Sequence, residues 1–122
     1  MAAASSITIT GTKTGLGTGS KDISVGPLEN TDAPLATTTQ AFAAATFAAV
    51  TFPGLVGSSV IKGVIIKPPS TNAGAITLKG VTGDTGIPIH KTEATILRFD
   101  SVTASNFGML CVSAITIEFE WI

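Results

Sequence analysis

The stretch VIIKPPSTNAGAITLKGVTGDTGIPI, from Val64 to Ile89, decides the fold class of this chain. Two β-branched runs, Val60–Lys67 and Ala75–Lys79, flank a segment of turn residues. Pro68-Pro69 cannot continue a β ladder because proline has no backbone N–H. Asn and Gly in Asn72–Gly74 adopt positive φ at little cost. The stretch therefore predicts two strands joined by a tight turn.

The same alternation of short strands and turns continues through the rest of the chain. In Ile115–Trp121 apolar residues alternate with Thr and Glu, which predicts one buried face and one face toward solvent or a partner. Strands about ten residues apart, with Gly, Pro and Asn between them, are typical of a β-sandwich. We therefore expect an all-β antiparallel β-sandwich, jelly-roll-like or Ig-like, over residues 35–122. Further predicted strands are Ser5–Thr10, Asp22–Val25, Ile87–Ile89, Ala94–Phe99 and Met109–Ser113.

The segment Thr37–Phe52, TTTQAFAAATFAAVTF, admits two interpretations. Its alanines favour a helix. However, one face at period two carries Phe42, Ala44, Ala48, Val50 and Phe52, and threonine is frequent, which favours strands. We predict strands with a turn inside the segment and keep a short helix as the alternative.

Residues 1–34 have the composition of an extended N-terminal arm. The run GTKTGLGTGSK contains four glycines and no apolar cluster, so it predicts a flexible loop. Part of it, Gly15–Lys21, superficially resembles a phosphate-binding loop. That motif needs Gly-Lys-Ser/Thr ahead of a helix, whereas Ser20 separates Gly19 from Lys21 here. The loop interpretation is therefore preferred.

Charge and composition limit the classes of partner. Seven basic and eight acidic residues give a net charge of −1, which disfavours nucleic acid and acidic lipid. The most apolar run, residues 41–56, contains Thr and Pro and is shorter than a membrane span, so we expect no membrane insertion. Only 12% of residues are charged, against about 25% in an ordinary soluble domain. This surface predicts packing against copies of the chain or a larger partner, after synthesis in the cytoplasm.

The candidate catalytic and metal-binding residues each have a structural interpretation that we prefer. His90 is the only histidine and Cys111 the only cysteine, too few for a closed zinc site. Cys111 lies in an apolar strand and is expected to be a buried small hydrophobe. Asp84, in Gly-Asp-Thr-Gly, and Asn72 are expected to stabilise turns. We therefore predict no enzyme activity, no cofactor and no metal site.

The lysines on the predicted strands leave one question open. Lys62, Lys67 and Lys79 occur within or at the ends of strands, where lysine commonly protects an edge or faces solvent. Glu118 and Glu120 are expected to pair with them, either across neighbouring strands or across a subunit interface.

The segment 64–110 resembles the small β-sandwich structural proteins of tailed bacteriophage virions. The shared features, in order, are VIIKPPSTNAGAITLKG, DTGIPI, TILRFD and a last pair of strands. The chain departs from the pattern before TILRFD, where HKTEAT replaces the usual Pro-Gly turn. The resemblance implies a capsid decoration (cement) protein that binds and stabilises a phage head. It also implies a homo-oligomer, with a trimer favoured, whose partner is the major capsid protein or neighbouring virion subunits. A tail, baseplate or head-fibre accessory protein is the alternative.

On this hypothesis residues 1–34 dock on the capsid or a neighbouring subunit by strand addition. The expected interface residues are Ile7, Ile9, Phe42, Phe47, Phe52, Glu118, Glu120 and Trp121. A carbohydrate-binding sandwich is a rival, ranked lower because the chain has no Tyr and one Trp to stack on sugars. A small hydrolase is a second rival, disfavoured because His90 has no recognisable nucleophile partner.

Overall fold

The computed structural model describes residues 3–13, 21–33, 36–55 and 57–122. These residues form ten strands and no helix. In chain order the strands are β1 (Ala3–Lys13), β2 (Lys21–Ala33), β3 (Thr37–Phe42), β4 (Thr46–Ala49), β5 (Ile61–Lys67), β6 (Ile76–Lys79), β7 (Ile87–Ile89), β8 (Thr95–Val102), β9 (Gly108–Cys111) and β10 (Ile115–Trp121). The all-β prediction is confirmed.

Strands β3 to β10 form two four-stranded antiparallel sheets. The first sheet has the order β3-β10-β5-β8 and the second the order β4-β9-β6-β7. The first four of these eight strands pair with the last four in reverse order along the chain: β3 with β10, β4 with β9, β5 with β8 and β6 with β7. Such nested pairing is the connectivity of an eight-stranded jelly roll, one of the two sandwich types expected from the sequence.

The core lies between the two sheets. Strand β10 shows the predicted alternation, with Ile117, Phe119 and Trp121 buried while the Thr and Glu positions between them are exposed or half-buried. Five aromatic rings continue the core around Trp121: Phe42, Phe52, Phe99, Phe107 and Phe119. The end of the chain is fixed to β5, because the Ile122 carbonyl accepts hydrogen bonds from the N–H groups of Lys62 and Gly63.

The segment Thr37–Phe52 contains two strands and a turn, so the strand prediction is confirmed and the helix alternative is wrong. The turn includes Ala45, which has a φ of 54°. Its N–H donates to the Cys111 carbonyl over 2.7 Å, which fixes the turn against β9. A period-two apolar pattern thus outweighed the helix propensity of the alanines.

The described part of residues 1–34 forms an antiparallel ribbon, in which β1 pairs only with β2. The predicted strands Ser5–Thr10 and Asp22–Val25 are parts of these longer strands. The ribbon contacts the sandwich through β2, where Leu28 packs on Gly63 and the Asn30 side-chain amide donates to the Val60 carbonyl over 2.7 Å. The loop predicted at Gly15–Lys21 falls, apart from Lys21, outside the described residues.

The residues that the structure describes include no helix of the length and hydropathy needed to cross a membrane.

Candidate binding surfaces

Two of the predicted interface residues belong to the core of the protomer. Phe42 and Trp121 each expose only 2% of their surface. The Phe42 ring packs against Phe119, and the Trp121 indole N–H donates to the Thr38 hydroxyl over 2.8 Å. These side chains stabilise the sandwich and leave almost no surface for a partner to contact.

The other two phenylalanines of that set are half-buried. Phe52 packs on Trp121 and Phe107, with ring centroids 4.8 and 5.9 Å away. Phe47 lies on the outer face of the second sheet, because its neighbour Ala48 points into the core. Its ring rests on Gly108: the atoms Cζ and Cε2 lie 2.5 and 2.6 Å from where a Cβ on that glycine would be. Phe47 is therefore held in place and still reaches the surface.

Ile7 and Ile9 lie on β1, which has one strand partner and one outer edge without a strand partner among the described residues. Ile7 is half-buried and pairs in register with Leu28, whereas Ile9 is 38% exposed. An isolated two-stranded ribbon is marginally stable in water. Its contact with the sandwich at Leu28 and Asn30 supplies part of the missing stability.

Glu118 and Glu120 have a partner within the chain. The Lys67 ammonium lies 2.6 Å from a carboxylate oxygen of Glu120 and 3.7 Å from one of Glu118, across the β5–β10 pair. The hydrogen bond to Glu120, with the negative charge of both carboxylates, raises the pKa of Lys67 above its ordinary value of 10.5. The question left open by the sequence is answered for Lys67, which pairs across neighbouring strands. A role for these glutamates in an interface stays a prediction.

Gln40 joins the edges of the two sheets. It lies on β3, and its amide N–H donates to the Ala49 carbonyl over 2.9 Å while its Oε1 accepts from the Thr51 N–H over 2.8 Å. Ala49 ends β4, an edge strand of the second sheet. An added strand would need these backbone groups, so the Gln40 side chain blocks strand addition at this end of β4.

The turn residues singled out by the sequence stabilise loops. Asp84 Oδ2 accepts from the N–H groups of Gly80 and Val81, at 3.0 and 2.9 Å. The Asn72 side chain, 7% exposed, donates to the carbonyls of Gly74 and Lys91, so it links two loops at one end of the sandwich. The structural interpretation of both residues is confirmed by these contacts.

His90 and Cys111 occupy ordinary structural positions. His90 Nδ1 accepts from the backbone N–H groups of Thr92 and Glu93, so its side chain stabilises the β7–β8 loop. Cys111 is a buried free thiol, and burial raises its pKa. This setting disfavours the reactive thiolate. Across the described ranges, no group of three or more His, Cys, Asp or Glu side chains is arranged to hold a metal ion.

A groove opens at the opposite end of the sandwich from Asn72, with a volume of about 520 Å³. Three segments far apart in the sequence form it: β4, the β6–β7 loop and the β8–β9 loop. Its lining combines aromatic, aliphatic and uncharged polar residues: Phe47, Ala49, Gly80, Val81, Thr82, Ser105, Asn106 and Phe107. Asp84 shapes one wall through its bonds to Gly80 and Val81, and Ser105 fixes another by donating to the Val50 carbonyl over 2.6 Å.

Compared with known proteins, the chain matches no protein-family model, no curated protein and no solved structure.

Sequence reasoning missed Leu28, Asn30, Gln40 and the groove. One signal was present: Gly63 interrupts the β-branched run VIKGVIIK, and an isolated glycine inside a strand often marks a close approach by another segment. The pattern gives no indication of which segment approaches.

Proposed function

We propose that this chain is a structural virion protein, a capsid decoration protein that binds the outer surface of a phage head and stabilises it through oligomer and arm contacts. The resemblance of segment 64–110 to such proteins supports this function. The observation that carries the proposal is the β1–β2 ribbon: it forms a two-stranded sheet of its own, in which β2 is the one strand partner of β1 among the described residues. The edge of such a sheet is a template for strand addition.

The surface of the sandwich supports assembly with neighbouring subunits. Charged residues make up 12% of the chain, and Ile87 and Val112 expose 63% and 60% of their surface. Because few charges oppose association, contacts between copies cost little desolvation. A homo-oligomer, with a trimer favoured by the resemblance, would cover part of this surface and leave the ribbons to bind the major capsid protein.

The test is co-sedimentation with heads of a tailed phage that have been stripped of their own decoration protein. The full chain is expected to sediment with heads, and a variant lacking residues 1–34 is expected to stay in the supernatant. Circular dichroism and thermal melting of the truncated variant check that the sandwich is folded. Undiminished binding by a folded truncated variant would contradict the role of the arm.

The same experiment separates the head from the tail. Purified tails and baseplates are sedimented in parallel. The chain would co-sediment with them if it were a tail accessory protein. Binding to tails and not to heads would overturn the decoration assignment.

A further inference from the structure

We propose that the groove between β4, the β6–β7 loop and the β8–β9 loop binds an uncharged saccharide. Its volume of about 520 Å³ falls within the range of roughly 300–1,000 Å³ that is usual for small-molecule sites. This binding activity is independent of capsid binding through the ribbon, which lies on the first sheet.

The apolar surface of the groove suits a sugar ring. Phe47 lines the groove while its ring rests on Gly108, so the aromatic surface is held in one position. Val81 lies beside it and is 61% exposed. The fixed Phe47 ring offers the C–H face of a pyranose a surface to pack on without a cost in ordering that side chain, and Val81 adds aliphatic surface.

The polar surface of the groove suits hydroxyl groups. Thr82 and Asn106 are exposed lining residues, and no hydrogen bond engages either side chain among the described residues. Together they supply a hydroxyl, an amide N–H₂ and an amide carbonyl, hence donors and acceptors. A molecule that carries several hydroxyl groups can use both kinds.

The lining also argues against other ligand classes. None of its eight residues carries a charge, so a phosphate or carboxylate would lose hydration without gaining an opposite charge. An extended peptide that adds a strand to β4 would need the Ala49 carbonyl and the Thr51 N–H. Both groups are already bonded to Gln40. An uncharged, hydroxyl-rich ring compound fits what remains.

The test is an NMR titration of the ¹⁵N-labelled full chain with a panel of sugars. The uncharged probes are methyl α-glucoside, methyl α-mannoside, methyl β-galactoside, N-acetylglucosamine and lactose; the charged probes are glucose 6-phosphate and N-acetylneuraminic acid. At least one uncharged sugar is expected to shift the amides of residues 80–82 and 105–108. No shift with any uncharged probe, shifts confined to other surfaces, or a preference for the charged probes would overturn the proposal.

Three variants locate the binding. Phe47→Leu keeps an apolar side chain on Gly108 but removes the ring, and it is expected to weaken binding about tenfold. Asn106→Ala is expected to weaken it several-fold, since a hydrogen bond is lost. Thr71→Ala, an exposed change at the other end of the sandwich, is the matched control and should bind as the unchanged chain does. Equal affinity of all three variants would show that the sugar does not occupy the groove. Because none of these changes touches the ribbon, head binding remains a separate readout.

Discussion

Leu28 occupies the space that a side chain at residue 63 would need: its Cδ2 atom lies 2.7 Å from where a Cβ on Gly63 would be. This contact joins the N-terminal ribbon to the sandwich. Leu28 is 5% exposed and Asn30, two residues further along β2, is 1% exposed, so both side chains are buried where the ribbon meets the sandwich. Because Gly63 has no side chain, it leaves a gap on the outer face of β5, and the Leu28 side chain fills this gap.

Leu28→Ala is expected to release the ribbon while the sandwich stays folded. Truncating a buried leucine costs about 2 kcal/mol or more, and here the cost falls on the docking of the ribbon. Hydrogen exchange should show lost protection in β1 and β2 and unchanged protection in β5 and β10. Ile9→Ala, at a residue that is 38% exposed, is the control and should have little effect. Unchanged exchange in the ribbon of Leu28→Ala would contradict this role.

Gln40→Ala is expected to expose the edge of β4. The change removes two hydrogen bonds that cross between the sheets, at a cost of about 1 kcal/mol in the free energy of unfolding. The Thr51 amide should exchange faster, and self-association should increase because a free edge can pair. Thr39→Ala, on an exposed neighbouring position of β3, serves as the control. Equal exchange at Thr51 in both variants would count against the proposed protection of the edge.

Asn72→Ala is expected to lower the free energy of unfolding by about 2 kcal/mol, because the buried amide bonds two loops and its loss leaves the Lys91 carbonyl without that donor. Chemical denaturation measures the change. Thr71→Ala, at the adjacent exposed position, should be close to neutral. Similar midpoints for the two variants would refute the linking role of Asn72.

Ala45→Gly is expected to raise the stability by about 0.5 kcal/mol. A φ of 54° costs an L-residue roughly 1 kcal/mol or more, and the gain from removing Cβ is partly offset by greater freedom in the unfolded chain. Ala44→Gly, in the same turn but without positive φ, is expected to lower stability. Thermal melting of the pair is the measurement, and the same direction of change in both variants would contradict the argument.

The ion pairs of Lys67 with Glu118 and Glu120 are expected to make the protein less stable at alkaline pH, where the lysine loses its charge. Its pKa is raised in the folded state, so the stabilisation is fully present below the ordinary value of 10.5 and disappears as pH rises through the higher folded value. When the pH is raised from neutral to about 12, the melting temperature of Lys67→Met should fall less than that of the unchanged chain. Lys62→Met is the control. The difference should shrink in high salt, because these charges are exposed; equal alkaline losses in both variants would disprove the contribution.

Local patterns were enough to predict the all-β class and several strands. The alternation in Ile115–Trp121 shows directly which residues face the core. Pro68-Pro69 ends β5 whichever strands pair with β5. These features depend on neighbours in the sequence, so a single chain reveals them.

The candidate binding surfaces could not be predicted in the same way. Leu28 and Gly63 are distant in sequence, and the groove brings Phe47, Val81 and Asn106 together from three separate segments. Such contacts depend on the order of strands in the two sheets, which hydrophobic periodicity does not specify. For the same reason Phe42 and Trp121 were predicted at an interface, whereas the structure places them between the sheets.

We propose that other subunits cover part of this weakly charged surface, so the full chain is expected to be an oligomer in solution. The most direct test is the solution mass of the full chain, measured by light scattering across a dilution series. We expect a stable multiple of the 12.3 kDa chain, with a trimer favoured, that persists on dilution. A mass of 12.3 kDa at every concentration would contradict it.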